Sequence, residues 1–269
     1  MYEEAQRQAN IENITRLALP DVSKDAKPKD VENDWITNFF DQCRLISDEE
    51  MQRLWAKVLA GEANNPGKYS KRTVGLLSSL DKSDAELFRK LCSFGWFIGN
   101  VVPLVYDLDA DIYTKAGLNL VGLGHLNDIG LVRFESFTTF AAGRLPQKTV
   151  VSYYTTRVAV EFPKPKDNEL DLGHVMLSKA GQELAPLCET ERHRDFLDYV
   201  VERWRKENLK VTIAEQGVAP NSDPAPPVGD LGVTETPASA EQSDQARRVG
   251  PAGNPEHSIT RSGPGPLTH

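Results

Sequence analysis

The chain of 269 residues has a formal net charge of −8 at pH 7, with 39% hydrophobic and 26% charged residues. This composition excludes a collagen-like fibre, a coiled-coil fibre and a wholly disordered chain. The longest apolar stretch, 94–106, is interrupted by glycine, asparagine and proline. It is also shorter than the roughly 20 residues that a membrane helix needs, so we expect no membrane contact.

The amino-terminal part, 1–95, has the apolar spacing of four or five short amphipathic helices. Trp35 and Trp55 fall on apolar helix faces, so we expect both in the core. Ser-Asp-Glu-Glu at 47–50 and Ser-Asp-Ala-Glu at 83–86 are interpreted as capping boxes at helix starts. We therefore predict a compact helical module over 1–95. The predicted helices span 2–19, 35–43, 47–63, 70–80 and 83–92.

The part from 96 to 213 mixes helix and strand patterns and predicts an α+β module with a small antiparallel sheet. Residues 97–106 are interpreted either as a buried strand or as an irregular core segment. In a last helix over 191–208, we expect Trp204 to anchor the helix to the core. The other predicted elements are a helix over 118–131 and strands over 131–135, 150–162 and 174–177.

The order of elements in this second part resembles that of winged-helix domains. A helix ends in Leu-Asn-Asp-Ile-Gly-Leu-Val at 126–132, a hairpin follows, and Leu-Ser-Lys-Ala-Gly-Gln-Glu-Leu stands at 177–184. The last phrase is similar to the Leu-Thr-x-x-Gly-x-x-Leu signature that often follows the wing. The span 134–174 is longer than a simple wing, and we expect a winged-helix-like module over 96–213.

The last part, 214–269, differs from the rest in composition. Its 56 residues include nine prolines and seven glycines and no aromatic residue. Such a segment buries too little apolar area to offset roughly 1–2 kcal/mol of backbone entropy per ordered residue. We therefore predict a disordered tail over 214–269.

No sequence motif predicts catalysis, a cofactor or a metal site. The acidic triplet at 107–111 lacks the glycine and the bidentate glutamate of an EF-hand loop. The histidines lack the spacing that places two ligands on one helix face, and His125 is interpreted as a packed or hydrogen-bonded residue at the core edge. We expect a protein that is not an enzyme.

The three cysteines are odd in number and widely spaced, so they predict neither a disulfide framework nor a metal knuckle. Cys43 and Cys92 fall on apolar helix faces, where a thiol packs as a small hydrophobic group. The first twenty residues lack the apolar core of a secretory signal. These features together predict a cytoplasmic protein.

Nucleic-acid binding is the natural expectation for a winged helix, but charge disfavours it here. The candidate recognition helix contains no lysine or arginine and carries Asp128, whereas binding needs cations that face phosphates. The alternative function is a DNA-binding regulator that contacts phosphates through its wing. The residues proposed for that contact are Arg144, Lys148 and Arg157.

Three segments carry a family resemblance. They are Arg-Gln-Ala-Asn-Ile-Glu-Asn-Ile at 7–14, Asp-Trp-Ile-Thr-Asn-Phe-Phe at 34–40, and Ser-Asp-Glu-Glu-Met-Gln-Arg-Leu-Trp-Ala-Lys-Val-Leu-Ala-Gly-Glu at 47–62, followed by Pro-Gly and Ser-Lys-Arg-Thr. Over about 5–205 the chain resembles an uncharacterised bacterial family known only as a domain of unknown function. Its members are distantly similar to abortive-infection proteins, which implies phage defence or a stress response. The resemblance implies no catalytic residues, and it implies a helix before the first segment, so we expect a shortened chain.

Within the resemblance, the polar residues at 62–73 have two interpretations. In the structural one, Glu62 or the Ser70 hydroxyl ties the Pro-Gly turn to the next helix, with Arg72 as ion-pair partner. In the functional one, Glu62, Lys68, Tyr69 and Arg72 form a contact patch for a partner. Our leading hypothesis is a non-enzymatic protein-interaction module that binds a partner protein or itself.

Overall fold

The computed structural model describes residues 2–213 and 232–237. Helices fill the first third of the chain, and helices mixed with short strands follow. The α-helices of the described residues are α1 (Tyr2–Ala18), α2 (Asn33–Cys43), α3 (Glu49–Asn64), α4 (Lys71–Ser79), α5 (Lys82–Cys92), α6 (Asp111–Thr114), α7 (Leu120–Asp128), α8 (Lys179–Leu184) and α9 (Phe196–Lys206).

The described strands form three antiparallel sheets. The largest has the order β2-β1-β5-β6-β9, the second has the order β10-β4-β7, and the third pairs β3 with β8. Their bounds are β1 (Gly95–Ile98), β2 (Asn100–Pro103), β3 (Val132–Phe134), β4 (Thr138–Leu145), β5 (Lys148–Tyr153), β6 (Thr156–Glu161), β7 (Asn168–Gly173), β8 (Val175–Leu177), β9 (Lys210–Ile213) and β10 (Gly232–Pro237). The α+β class with antiparallel sheets is therefore confirmed.

Both capping-box predictions were wrong by one or two residues. The side chain of Asp48 accepts hydrogen bonds from the backbone amides of Glu50 and Met51 at 2.9 and 3.0 Å and caps α3. At α5 the reciprocal box is formed by Asp81 and Asp84. Aspartate accepts from these free amides as well as serine does, so neighbouring Ser and Asp residues make the helix start ambiguous in sequence.

The predicted single strand over 150–162 is a hairpin of two strands, β5 and β6. Their register pairs Tyr153 with Thr156 across a tight turn, in which Tyr154 has φ of 51°. An unbroken run of β-branched and aromatic residues hides this turn, since no glycine or proline marks it. The segment 97–106 was interpreted as a buried strand or an irregular core segment. Its first part belongs to a second hairpin, formed by β1 and β2, which turns at Gly99.

The core runs without interruption through both halves of the chain. In the helical half, the Trp55 and Phe39 rings meet edge to face, 5.1 Å apart. In the second half, Trp204 of α9 meets Trp96 on the inner face of the five-stranded sheet at 5.0 Å. The prediction that Trp35, Trp55 and Trp204 are core residues is confirmed by their burial.

The change from helices to strands falls between α5 and β1. The predicted boundary after residue 95 lies one residue inside β1, and the division into two modules stays a prediction. The pairing of β3 with β8, between α7 and α8, follows the order predicted for a winged helix. The long insert β4–β7 lies between those strands, and the winged-helix assignment also stays a prediction. None of the described helices has both the length and the apolar character needed to cross a bilayer.

The predicted disordered tail lies outside the described residues, with one exception. Residues 232–237 form β10, so the prediction was wrong for this short segment. Val233, Thr234 and Thr236 are β-branched and stand between a glycine and a proline, which is a weak strand signal. A pairing partner more than 80 residues away in sequence completes the strand.

Candidate functional site

The four residues of the predicted contact patch do not form one surface. Glu62 and Tyr69 are buried, with exposed fractions of 2% and 1%. Lys68 and Arg72 are exposed. The patch as predicted is therefore wrong in two of its members, because their side chains point into the protein.

Two roles were considered for Glu62, a structural one and a partner contact, and its hydrogen bonds agree with the structural one. Its carboxylate accepts hydrogen bonds from the backbone amides of Gly67 at 2.6 Å and Tyr69 at 2.9 Å. The Tyr69 carbonyl in turn accepts a hydrogen bond from the indole Nε1 of Trp35 at 2.7 Å. The predicted ion pair with Arg72 is absent among the described residues; backbone amides take the place of the guanidinium.

The start of α4 is completed by a residue that sequence analysis missed. Ser70 caps the helix by accepting from the Thr73 amide at 3.2 Å, as predicted. Glu183 of α8 also accepts from the Ser70 amide at 2.9 Å and from the Thr73 hydroxyl at 2.6 Å. Burial, together with the negative charges of Glu62 and Glu183, raises the pKa of Tyr69 to about 12.

Two surface depressions flank an ion pair between α3 and the segment after α8. Lys57 Nζ lies 2.6 Å from the Glu189 carboxylate. A depression of about 570 Å³ opens on the side of α5, and one of about 250 Å³ opens on the other side, where Lys68 and Tyr69 line it. Lys57, Glu189 and Cys188 line both depressions.

The predicted nucleic-acid residues are exposed and lie in two sheets. Lys148 and Arg157 stand on the outer face of the five-stranded sheet, where Lys148 Nζ lies 3.7 Å from the Glu161 carboxylate. Arg144 belongs to β4 in another sheet and has φ of 58°. The structure therefore brings two of the three residues to one face.

That outer face has an apolar centre beside Arg157. The register places Phe97 opposite Ser152, and Ser152 opposite Arg157, so the three side chains form one row. Phe97 is 44% exposed and Val150 is 48% exposed. An exposed aromatic ring and a guanidinium on the same open face, two strands apart, offer separate stacking and charge contacts to a ligand.

The edge of β4 is the clearest binding arrangement of the described residues, because a distant segment of the chain occupies it. All six residues of β10 pair with β4, from Gly232 opposite Gly143 to Pro237 opposite Thr138. Residues 214–231 separate β10 from β9 in sequence. An extended segment is thus held along β4 as a strand, which is the geometry of peptide recognition by strand addition.

The side chains of β10 whose burial is described, at 233–235, are all exposed. Val233 is 40% exposed, and Thr234 and Glu235 are exposed as well. Glu235 accepts a charge-assisted hydrogen bond from Arg133 of β3, and the Arg133 guanidinium lies 5.3 Å from the centre of the Phe140 ring. For residues 233–235, the contact therefore consists mainly of backbone pairing and one exposed ion pair.

Metal-ligand groupings are missing from the part of the chain that the structure describes. No three His, Cys, Asp or Glu side chains there gather in a way that could hold a metal ion. His125 Nε2 lies 2.7 Å from the carboxylate of Asp84, which stands at the start of α5. The His125 side chain is half-exposed. His174 is buried, and its Nδ1 lies within hydrogen-bond distance of the carbonyls of Glu135 and Thr138.

Comparison with known proteins identifies a family for this chain but no activity. No curated protein and no solved structure matches the chain significantly. A family model described as a protein of unknown function (DUF2806) matches residues 1–201. The resemblance to a domain of unknown function, inferred from the three sequence segments, is thereby confirmed, while the bacterial origin and the likeness to abortive-infection proteins stay predictions. Because the match covers more than half of the sequence, the chain belongs to the DUF2806 family of proteins of unknown function.

Proposed function

We propose that the protein is a non-enzymatic interaction module that binds an extended segment of a partner protein along β4. The observation that carries this proposal is the pairing of β10 with β4 over six residues. Since a sheet edge offers a row of free N–H and C=O groups, any extended chain of suitable sequence is able to pair with it. In this view β10 occupies the site until a partner strand replaces it.

The composition of β4 supports this role. Ala141, Ala142 and Gly143 are buried and small, so the strand edge is accessible to a second backbone. The neighbouring Arg133 offers a cation at the position where it meets Glu235. We therefore expect partner segments that are rich in β-branched residues and carry an acidic residue at the position of Glu235.

The test uses the full chain with proline at Val233 and Thr234. Alternate residues of an antiparallel strand donate to the same neighbour, so one of these two N–H groups faces β4, and the double proline variant removes it. We expect a fluorescent peptide with the sequence of residues 230–239 to bind the double proline variant saturably in fluorescence anisotropy. The unaltered chain should bind this peptide far more weakly, because β10 competes.

The matched control carries alanine at the same two positions. Alanine removes the side chains and keeps both backbone donors, so β10 should stay in place and block the peptide. Absence of peptide binding to the double proline variant, with its circular dichroism unchanged, would refute the proposal. Dimers that form only in the proline variant would instead indicate exchange of strands between copies, which is the self-association alternative.

A second candidate function is nucleic-acid contact through the outer face of the five-stranded sheet. The observation that favours it is the row of Phe97, Ser152 and Arg157. Charge reversal to glutamate at Arg144, Lys148 and Arg157 should abolish retention of an oligonucleotide at low salt. An affinity that falls steeply with salt would support phosphate contacts.

The control for this second test makes the same charge change elsewhere. Glutamate at Lys24, Lys68 and Arg72, which are exposed on other surfaces, alters net charge equally and should leave binding intact. If neither the unaltered chain nor this control binds single-stranded or duplex DNA at low salt, the nucleic-acid function is refuted.

We further propose a cytoplasmic location and a role in phage defence or stress. The location is supported by three free cysteines, which are typical of reducing compartments. The defence role is supported only by the distant likeness to abortive-infection proteins. Deletion of the gene, followed by phage challenge of the host, tests it directly: unchanged plaque counts and unchanged stress survival would refute it.

A further inference from the structure

The outer face of the five-stranded sheet carries three rows of side chains. Residues that pair across antiparallel strands point to the same face, and positions two apart along a strand share that face. From one end of the strands to the other, the rows are Phe97, Ser152 and Arg157; Val150, Ala159 and Thr212; and Lys148, Glu161 and Lys210. Successive rows are about 7 Å apart, because a strand rises about 3.3 Å per residue.

The first two rows include an apolar area that solvent reaches. Phe97 is 44% exposed and Val150 is 48% exposed, and Ala159 is exposed as well. Val101, which is half-buried and pairs with Phe97, extends this area onto the edge strand β2. An exposed aromatic ring of this kind is available for stacking on a flat group of a ligand.

Cations outnumber carboxylates on this face, although the chain as a whole has a formal net charge of −8. Lys148, Arg157 and Lys210 are exposed there, and Glu161 supplies the one carboxylate in the three rows. Lys148 Nζ and Lys210 Nζ lie 3.7 and 3.4 Å from this carboxylate, so two ammonium groups share it. A surplus of positive charge on one face of an acidic chain favours an anionic partner.

A nucleic acid with unpaired bases matches both the apolar and the cationic parts of this face. In a duplex the bases stack on one another and offer only their edges in the grooves, so Phe97 finds no base face there. In a single strand the faces of the bases are available to aromatic side chains, while the phosphates contact cations. Phe97 and Arg157 lie two strands apart, about 10 Å, so they contact different parts of such a strand.

We propose that this outer face binds single-stranded nucleic acid, with Phe97 stacked on a base and with Arg157, Lys148 and Lys210 in contact with phosphates. The inference rests on the second proposed function, nucleic-acid contact, and specifies its substrate class. A second copy of the chain does not fit the same face, because two faces with surplus positive charge repel each other. Glu161 limits the positive charge of the third row and thereby weakens the binding.

The test measures binding of the full chain to fluorescent strands of equal length by anisotropy at low salt. The strands are an oligothymidine, an oligouridine and an abasic strand that keeps the phosphates and lacks the bases. Stacking predicts that the first two bind more tightly than the abasic strand, and their comparison separates DNA from RNA as the ligand. A duplex of the same length should bind more weakly than the single strands with bases.

The outcomes separate this inference from the function on which it rests. Equal or tighter binding of the duplex would overturn the single-strand assignment and leave nucleic-acid contact standing. Absence of binding to every strand and to the duplex would overturn both. Binding to phosphatidylserine vesicles without binding to any strand would identify an anionic lipid surface as the occupant and would also overturn both.

Phe97→Leu tests the stacking contact, because leucine keeps an apolar side chain and removes the ring. It should weaken binding of the strands with bases by at least about fivefold and leave binding of the abasic strand unchanged. Phe137→Leu is the matched control, since Phe137 is a 70% exposed ring between β3 and β4. An equal loss in the control, or an equal loss with the abasic strand, would contradict stacking on Phe97.

Glu161→Gln tests the phosphate contacts through the sign of its effect. It frees Lys148 and Lys210 from their shared carboxylate, so every strand should bind more tightly. Glutamine at both lysines should weaken binding and reduce the slope of log affinity against log salt by about 1.4, or about 0.7 for each lost phosphate contact. Circular dichroism confirms that the variants are folded. Weaker binding by a folded Glu161→Gln variant would overturn the assignment of these lysines to phosphates.

Discussion

The carboxylate of Glu62 accepts a hydrogen bond from the backbone amide of Tyr69 at 2.9 Å, and both of these residues are buried. A second amide, that of Gly67, donates to the same carboxylate at 2.6 Å. These hydrogen bonds close the loop between α3 and α4, and Trp35 holds its far side through the Tyr69 carbonyl. Of the two interpretations of Glu62 drawn from sequence, the geometry therefore agrees with the structural one, in which Glu62 ties down the turn.

Glu62→Ala should lower the free energy of unfolding by about 2–4 kcal/mol, because two backbone donors lose their acceptor and one of them stays buried. Urea denaturation measures this change. The control is Arg72→Ala, whose exposed side chain should matter by no more than about 0.5 kcal/mol. A large effect at Arg72 with a small effect at Glu62 would reverse the assignment.

Trp55→Ala should cost on the order of 3–5 kcal/mol, since the ring is fully buried against Phe39. Trp55→Phe should cost much less, about 1–2 kcal/mol. The indole N–H of Trp55 is buried without a hydrogen-bond partner among the described residues, so phenylalanine sacrifices no such bond. Thermal unfolding of both variants tests this, and an unchanged melting temperature for Trp55→Ala would contradict the core assignment.

Gly181→Ala should destabilise the protein by about 1–3 kcal/mol through overpacking. A Cβ at this position in α8 would lie 2.1 Å from the Leu131 carbonyl oxygen. Gly75→Ala in α4 is the matched control, because nothing lies within 4 Å of its Cβ position. Helix propensity should make it stabilising by about 0.5–1 kcal/mol. Chemical denaturation should therefore show a lower free energy of unfolding for Gly181→Ala and a higher one for Gly75→Ala.

His193 should make stability fall as the pH drops below 6.5. Its ring stacks on Phe94 at 4.4 Å, and its Nε2 lies 2.7 Å from the Ser93 hydroxyl oxygen. Burial lowers the pKa of His193 from 6.5, so the unfolded chain takes up a proton before the folded chain does. The stability is therefore present above pH 6.5 and is lost as the pH falls through the folded pKa.

His193→Phe is the matched variant for this pH dependence, because it keeps a ring against Phe94 and removes the titrating group. Its melting temperature should decline less than that of the unaltered chain between about pH 7.5 and about pH 5.5. Identical slopes for the two proteins would show that His193 does not contribute to the acid sensitivity.

The helices were predictable from sequence because their signal is local. Apolar spacing placed α1 to α5 and their tryptophans correctly, with errors at the ends, where Asp48 and Asp81 cap in place of the neighbouring serines. Serine and aspartate residues within two positions of one another compete to cap the same helix. The path of the chain before the helix decides which of them does so. The helix predicted to begin at residue 70 begins at Lys71, with Ser70 as its cap.

Sheet pairing and the candidate sites depended on contacts between distant residues. No local pattern reports that β10 has β4 as its partner, nor that Glu183 reaches the start of α4.

The amino-acid sequence by itself determined the helical first half, the burial of the tryptophans, the α+β class and the family. Each of these follows from periodicity, side-chain type or a motif within a few dozen residues. Tertiary structure alone decided that Glu62 faces inward and that β4 pairs with residues 232–237. Those features depend on which distant segments pack together. The packing is decided by the whole core and not by any local stretch of sequence.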